Sequence, residues 1–200
     1  MNYKFRSRRN LVWPENGYVK KRILPDEDRQ STVSSAKFEA DILSLLYKAG
    51  VSVPKLISHD ADTLTMEYIE GITLIDAIEF FEQDKLSAEV LVKPLIGWFT
   101  AFYKAVPDDT IRGDVNCRNF ILTPARSIVS VDFEFLPTGK KESDIGRLAA
   151  FILTYKPPHT MFKKYMVKQL IDEACARLDL DPVLINQAKE LELTEMSKRR

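Results

Sequence analysis

Charge of either sign is not in excess: the 200 residues carry 29 Lys and Arg against 29 Asp and Glu. Bulk electrostatics therefore supply no field for holding nucleic acid or an anionic membrane, and a polyanion would need a local patch. Two such patches exist, Arg6, Arg8 and Arg9 near the start and Lys198, Arg199 and Arg200 at the end, and each is read first as solvated surface. Cysteine is nearly absent. Cys117 and Cys175 are the only two and lack the paired Cys or His spacing of a zinc site, so both read as reduced thiols. No apolar run reaches the roughly 18 residues that a membrane span needs, and the opening MNYKFRSRRN is charged. Neither a span nor a secretion signal is expected, and a cytosolic (cytoplasmic) chain is the default. Repeats, low-complexity tracts and long linkers are also missing.

What is present changes character along the chain. The first 30 residues are strand-like and interrupted: YKF, then SRRN, then LVW, then YVKKRIL, with Asn16-Gly17 between the last two as a hairpin signal. Residues 31 to 50 switch to a helical period. Phe38, Ile42, Leu45, Leu46 and Ala49 form the apolar stripe, Ser34 or Ser35 can cap the start, and Gly50 can end the helix. VSVPKLISHD and TLTMEYI then read as two strands joined at Asp60-Ala61-Asp62, with Gly71 closing the second. Beyond Gly71 the chain turns helical. Thr73 caps a helix to about Phe81, Leu91 to Val106 mark a long one with Pro94 early in it, and further helices follow Asp144, Pro158 and Asp181.

The stretch 111 to 135, IRGDVNCRNFILTPARSIVSVDFEF, interrupts the helices. FIL and SIVSVDF read as the two strands of a hairpin turned by PARS. Asp114 lies in the loop before it, behind Gly113, which admits backbone conformations closed to other residues. Asn119 follows at the start of the first strand and Asp132 ends the second. A hairpin sets its two ends side by side, so Asp114, Asn119 and Asp132 are expected to share one pocket. Carboxylate and amide oxygens with room for water and phosphate are what Mg2+ takes, and one further acid remains as a base.

With these offsets the stretch resembles the protein-kinase-like superfamily: Arg112-Gly113-Asp114 matches its catalytic loop, Asn119 the asparagine that follows, and Asp132-Phe133-Glu134 its metal motif. The words FEADIL, GVSVP, MEYIEG and DIGRLAAFIL look most like the small atypical kinase of the KEOPS tRNA-modification complex, while the G-D and D-F-E pairs are similar to those of aminoglycoside, choline and lipopolysaccharide-core sugar kinases. The resemblance implies an α+β, two-lobed fold: residues 1–70 as a small antiparallel-sheet lobe with one helix, residues 71–200 as a reduced helical lobe carrying the hairpin 111–135, and ATP with Mg2+ held between them. It implies a strand lysine paired to the glutamate of the following helix. Lys20 with Glu39 is the expected pair, Lys21 the alternative if the strand register shifts by one. Glu67, Tyr68 and Ile69 would hold adenine through their main chain, Asn119 and Asp132 the Mg2+, and Asp114 would take the acceptor proton while Asp144 braces its loop. Two positions depart from the pattern. SRRN, residues 7 to 10, has no glycine where a glycine-rich phosphate loop is expected, leaving Ser7 and the arginines to meet phosphate, and Arg112 stands where relatives carry histidine.

The expected activity is therefore an ATP- and Mg2+-dependent phosphotransferase. A small-molecule hydroxyl is the first acceptor expected, because a kinase gripping extended peptide needs more helical chain than lies beyond Gly71. The alternatives are a KEOPS-like atypical protein kinase or ATPase with protein or tRNA partners, and a non-catalytic pseudokinase module that senses nucleotide.

Overall fold

The computed structural model describes residues 10–24 and 36–199. The YKF strand, most of SRRN, the Ser34/Ser35 cap, Arg6, Arg8, Arg9 and Arg200 lie outside the described residues. The chain divides into two compact units, one running to Glu70 and including Ser130–Phe135, the other comprising Gly71–Val129 and Leu136–Arg200.

The first unit is a four-stranded antiparallel sheet with one helix. Strands β1 (Asn10–Glu15) and β2 (Tyr18–Ile23) form the expected hairpin. Asn16 and Gly17, at φ 51° and 81°, supply the two left-handed positions that a two-residue turn of the right twist requires. Helix α1 (Ala36–Lys48) intervenes before β3 (Leu56–His59) and β4 (Thr63–Glu67), and the sheet order is β1-β2-β4-β3. The helical period is as expected, but its phase is not. Ala36, Glu39, Ala40, Leu43 and Leu46 are buried, while Phe38 and Leu45 of the anticipated stripe are 39% and 49% exposed. The inward face is narrow, two alanines and two leucines around one acid, so ranking by side-chain size misplaced the stripe. Gly50, at φ 80°, ends α1 with the Val51 N–H reaching back to the Leu46 carbonyl at 3.0 Å.

The second unit opens at β5 (Ile72–Thr73) and α2 (Leu74–Gln83), whose cap is Thr73: its hydroxyl accepts the Asp76 N–H at 3.3 Å. Helix α3 (Glu89–Ala105) supplies the core. Trp98 stacks on Phe102 with centroids 5.2 Å apart, and Phe120 meets the Trp98 ring edge at 5.4 Å. A short 3-10 turn (Cys117–Asn119) leads into β6 (Phe120–Leu122) and β7 (Ile128–Ser130), which complete a three-stranded sheet in the order β5-β6-β7. Helices α4 (Lys141–Thr154), α5 (Met161–Leu178) and α6 (Pro182–Lys198) follow. Among the described residues no helix is long and apolar enough to cross a membrane.

Helix α4 packs closely on α6 because residue 146 has no side chain. A Cβ there would lie 2.5 Å from the Ile185 carbonyl oxygen and 2.6 Å from the Ala188 Cβ. Two helix backbones cannot both yield to such an overlap. Gly146→Ala should therefore cost about 1–3 kcal/mol in a urea melt, lowering the thermal midpoint by about 2–4 °C per kcal/mol. An unchanged midpoint would mean that α4 and α6 do not approach this closely.

Candidate functional site

In the first unit the site is built around a lysine. Lys21 is 4% exposed, and its ammonium donates to both carboxylate oxygens of Glu39, at 2.8 and 3.1 Å, and to Asp132, with Glu134 at 3.4 Å. Burial pulls the Lys21 pKa down, but Glu39, Asp132 and Glu134 together outweigh it and hold the ammonium above the ordinary lysine range. Burial pushes the Glu39 carboxyl up, opposed by Lys21 and by the Phe133 N–H, which donates to Glu39 at 3.1 Å. With the ammonium on both of its oxygens and an N–H on one, the Glu39 site is arranged for a carboxylate facing an ammonium.

The expected partner of Glu39 was Lys20, and the structure corrects it. Lys20 is paired with Glu15 and keeps 32% side-chain exposure. Strand alternation guarantees that one of two neighbouring lysines turns inward but not which one. The Asn16-Gly17 turn sets that register, placing Lys21 opposite Val12 on one neighbour and Leu64 on the other.

Asp132 sits at φ 69°, a left-handed conformation that aspartate tolerates better than most side chains. Glu134 is tied down by the Asn10 amide as well as facing Lys21. At the end of β4 the Glu67 N–H is bonded to the Lys55 carbonyl at 2.9 Å and Tyr68 is 47% exposed. The Glu67 carbonyl and the Tyr68 and Ile69 main chain remain proposed adenine contacts.

The second unit holds Asp114 and Asn119 in one loop. Asp144, in the first turn of α4 and fully buried, accepts the N–H groups of Arg112 at 2.7 Å and Gly113 at 2.9 Å and the hydroxyl of Tyr103 at 2.9 Å. Burial pushes the Asp144 carboxyl up against those three donors, and it pushes the Tyr103 phenol up too, reinforced by the Asp144 charge. Gly113, at φ 74°, lets the chain turn so that both N–H groups face one carboxylate. On the other side Arg147 donates to the Gly113 carbonyl at 3.2 Å and to Glu192 of α6 at 3.1 Å. Asp114 itself is exposed, and the Asn119 amide donates to its carbonyl at 3.3 Å. Cys117 is buried, which pushes its thiol up and leaves it unreactive.

Sequence reasoning passed over Tyr103, Arg147 and Tyr155, whose hydroxyl donates to Asn116 in this loop at 2.7 Å. Tyr103 is one of several aromatics on α3, a pattern that reads as core. Arg147 carried a usable signal, since it lies three residues after Asp144 on the same helix. At the basic end of the described residues Lys198 pairs with Glu195 at 2.7 Å and Arg199 with Glu192 at 3.3 Å.

An antiparallel sheet with one helix carrying a buried lysine–glutamate pair in one unit, and a pinned Arg-Gly-Asp loop in a helical unit, define the protein-kinase-like class in its small atypical form. The chain belongs to the RIO domain family, whose signature matches residues 3–139. It is 33% identical over 108 residues to the EKC/KEOPS complex subunit BUD32 of Encephalitozoon cuniculi (strain GB-M1), covering 54% of this chain and 50% of that protein. The match thus spans about half the length of the curated relative. Among solved structures it is similar to the Rio2 kinase of Chaetomium thermophilum in its ADP/Mg2+-phosphoaspartate complex, with a TM-score of 0.52 at 16% identity over 99% of this chain and 71% of that one. A Plasmodium vivax ethanolamine kinase gives a TM-score of 0.57 at 14% identity over 96% and 70%. At such identities these two likenesses show the fold alone.

Proposed function

We propose that the chain is an ATP- and Mg2+-dependent phosphoryl-transfer enzyme of the KEOPS kind, an atypical kinase or ATPase that works with protein and tRNA partners. The observation that carries this is the buried, ionised Lys21 clamped by Glu39 and touching Asp132, a charge that burial makes costly and that a structural role alone does not require. Lys21 would meet the α- and β-phosphates, and Asp114 would orient the acceptor oxygen and take its proton. The donor chemistry fits Mg2+: Asp132 offers a carboxylate with 38% side-chain exposure, and Asn119 an amide whose nitrogen, not its oxygen, is used in the loop. Asp132 and Asn119 would be the protein's ligands to the ion, which would neutralise charge on the phosphates. The transfer then asks of the protein mainly position and charge, which two carboxylates and one fixed ammonium would supply.

The expectation of a small-molecule acceptor rested on the size of the helical part. Membership of the RIO domain family and the likeness to BUD32 support the KEOPS-like reading instead. The discriminating experiment measures ATP hydrolysis by the full chain, with and without Mg2+, first without acceptor and then with tRNA and with KEOPS-type partner proteins. Slow Mg2+-dependent turnover stimulated by either addition is expected. ATP consumption driven by an amino alcohol, an aminoglycoside or a sugar would return the acceptor to a small molecule. A thermal shift silent to ATP under both metal conditions would favour a non-catalytic module.

A further inference from the structure

We propose that Tyr155 is a positioning residue for Asp114, acting through Asn116; this rests on the reading that Asp114 serves phosphoryl transfer. Asp114 is exposed, and the hydrogen bond found on its carboxylate comes from the Asn116 N–H to Oδ1 at 3.3 Å. The direction of the Asp114 side chain therefore depends on where the Asn116 peptide lies. That peptide is fixed through its own side chain, because the Asn116 Oδ1 accepts the Tyr155 hydroxyl at 2.7 Å and the Arg118 N–H at 3.0 Å. The same bond from Arg118 caps the short turn Cys117–Asn119, so one phenol steadies both Asp114 and the approach to Asn119.

Tyr155 is a suitable anchor since it is itself held at three places. Its N–H reaches the Phe151 carbonyl at 3.3 Å, its carbonyl accepts the Lys163 ammonium at 3.0 Å, and its ring stacks on Phe151 with centroids 6.4 Å apart. Lys163 is only 2% exposed and also donates to the Pro157 carbonyl at 2.5 Å, an investment of a buried charge in fixing the chain beside Tyr155. Burial pushes the Tyr155 phenol well above its ordinary range, so it remains a donor at neutral pH.

Tyr155→Phe removes the hydroxyl and keeps the ring. In MgATP hydrolysis by the full chain, kcat should fall about 3- to 10-fold, the scale of one hydrogen bond, with KM unchanged. The same substitution placed in Asp114→Asn should cause no further loss, because the group it positions is already disabled. Amide hydrogen exchange over residues 114 to 119 should quicken in Tyr155→Phe while α6 stays as in wild type. Unaltered kcat, an equal fractional loss in the Asp114→Asn background, or unaltered exchange in the loop would each overturn the proposal. Wild-type turnover by Asp114→Asn alone would instead sink the phosphoryl-transfer reading, and the exchange rates would still decide whether Tyr155 holds the loop.

Discussion

Asp114→Asn should bind MgATP with near-wild-type affinity while its ATP turnover falls about 10²–10⁴-fold, the usual contribution of a positioned general base. The substitution preserves shape and a hydrogen-bond acceptor, and it leaves the loop's supports alone. Those supports lie on neighbouring residues: Asp144 holds the Arg112 and Gly113 N–H groups, and Arg147 holds the Gly113 carbonyl. A loop fastened through its main chain keeps its form when an exposed side chain changes, so loss of turnover in this variant reports chemistry and not unfolding. Calorimetric MgATP affinity and single-turnover rates, measured on the same preparation, separate the two. Equal turnover in variant and wild type would remove Asp114 from the mechanism.

The second large effect is on stability. Lys21→Met leaves Glu39 buried with its charge unmatched, and breaking a buried pair from one side costs about 3–5 kcal/mol. Lys20→Met should cost at most about 1 kcal/mol, since its partner Glu15 is a surface acid. The two neighbouring lysines thus make an internal control, read by urea melts. Lys21→Met combined with Glu39→Leu should regain much of the lost stability, because both charges leave the interior together, yet nucleotide binding should stay impaired. Equal destabilisation by the two single lysine variants would contradict the β2 register on which the site is built.

Much of this was legible in the amino-acid sequence where a local rule fixes geometry. Asn16-Gly17 announced the first hairpin, Thr73 the start of α2, Gly50 the end of α1, and the Arg-Gly-Asp to Asn119 offset the loop. Phase was harder than period. Lys20 and Lys21 have the same composition, and only the two-residue turn and the pairing with β4 decide which one enters the interior. The stripe on α1 failed at Phe38 and Leu45, which face outward while the smaller Ala36 and Ala40 face inward; Glu39 is buried as its expected pairing with a β2 lysine requires. Tyr103 and Tyr155 were illegible because a tyrosine among other aromatics reads as packing, and its hydroxyl matters only once a distant acceptor is in place. The acceptor was argued from size, which is weak ground, because many members of one fold share a size while differing in partner.

The most direct test of the central claim, that Lys21, Glu39 and Asp132 form a nucleotide and metal site, is calorimetric titration of ATP with and without Mg2+ into wild type and Asp132→Ala. Glu39 and Glu134 still flank Lys21 when Asp132 is removed, so the variant should stay folded. The account predicts that Mg2+ strengthens ATP binding by the wild type and that this gain vanishes in Asp132→Ala. A wild type that binds no ATP under either condition, or a gain from Mg2+ that survives the substitution undiminished, would contradict it.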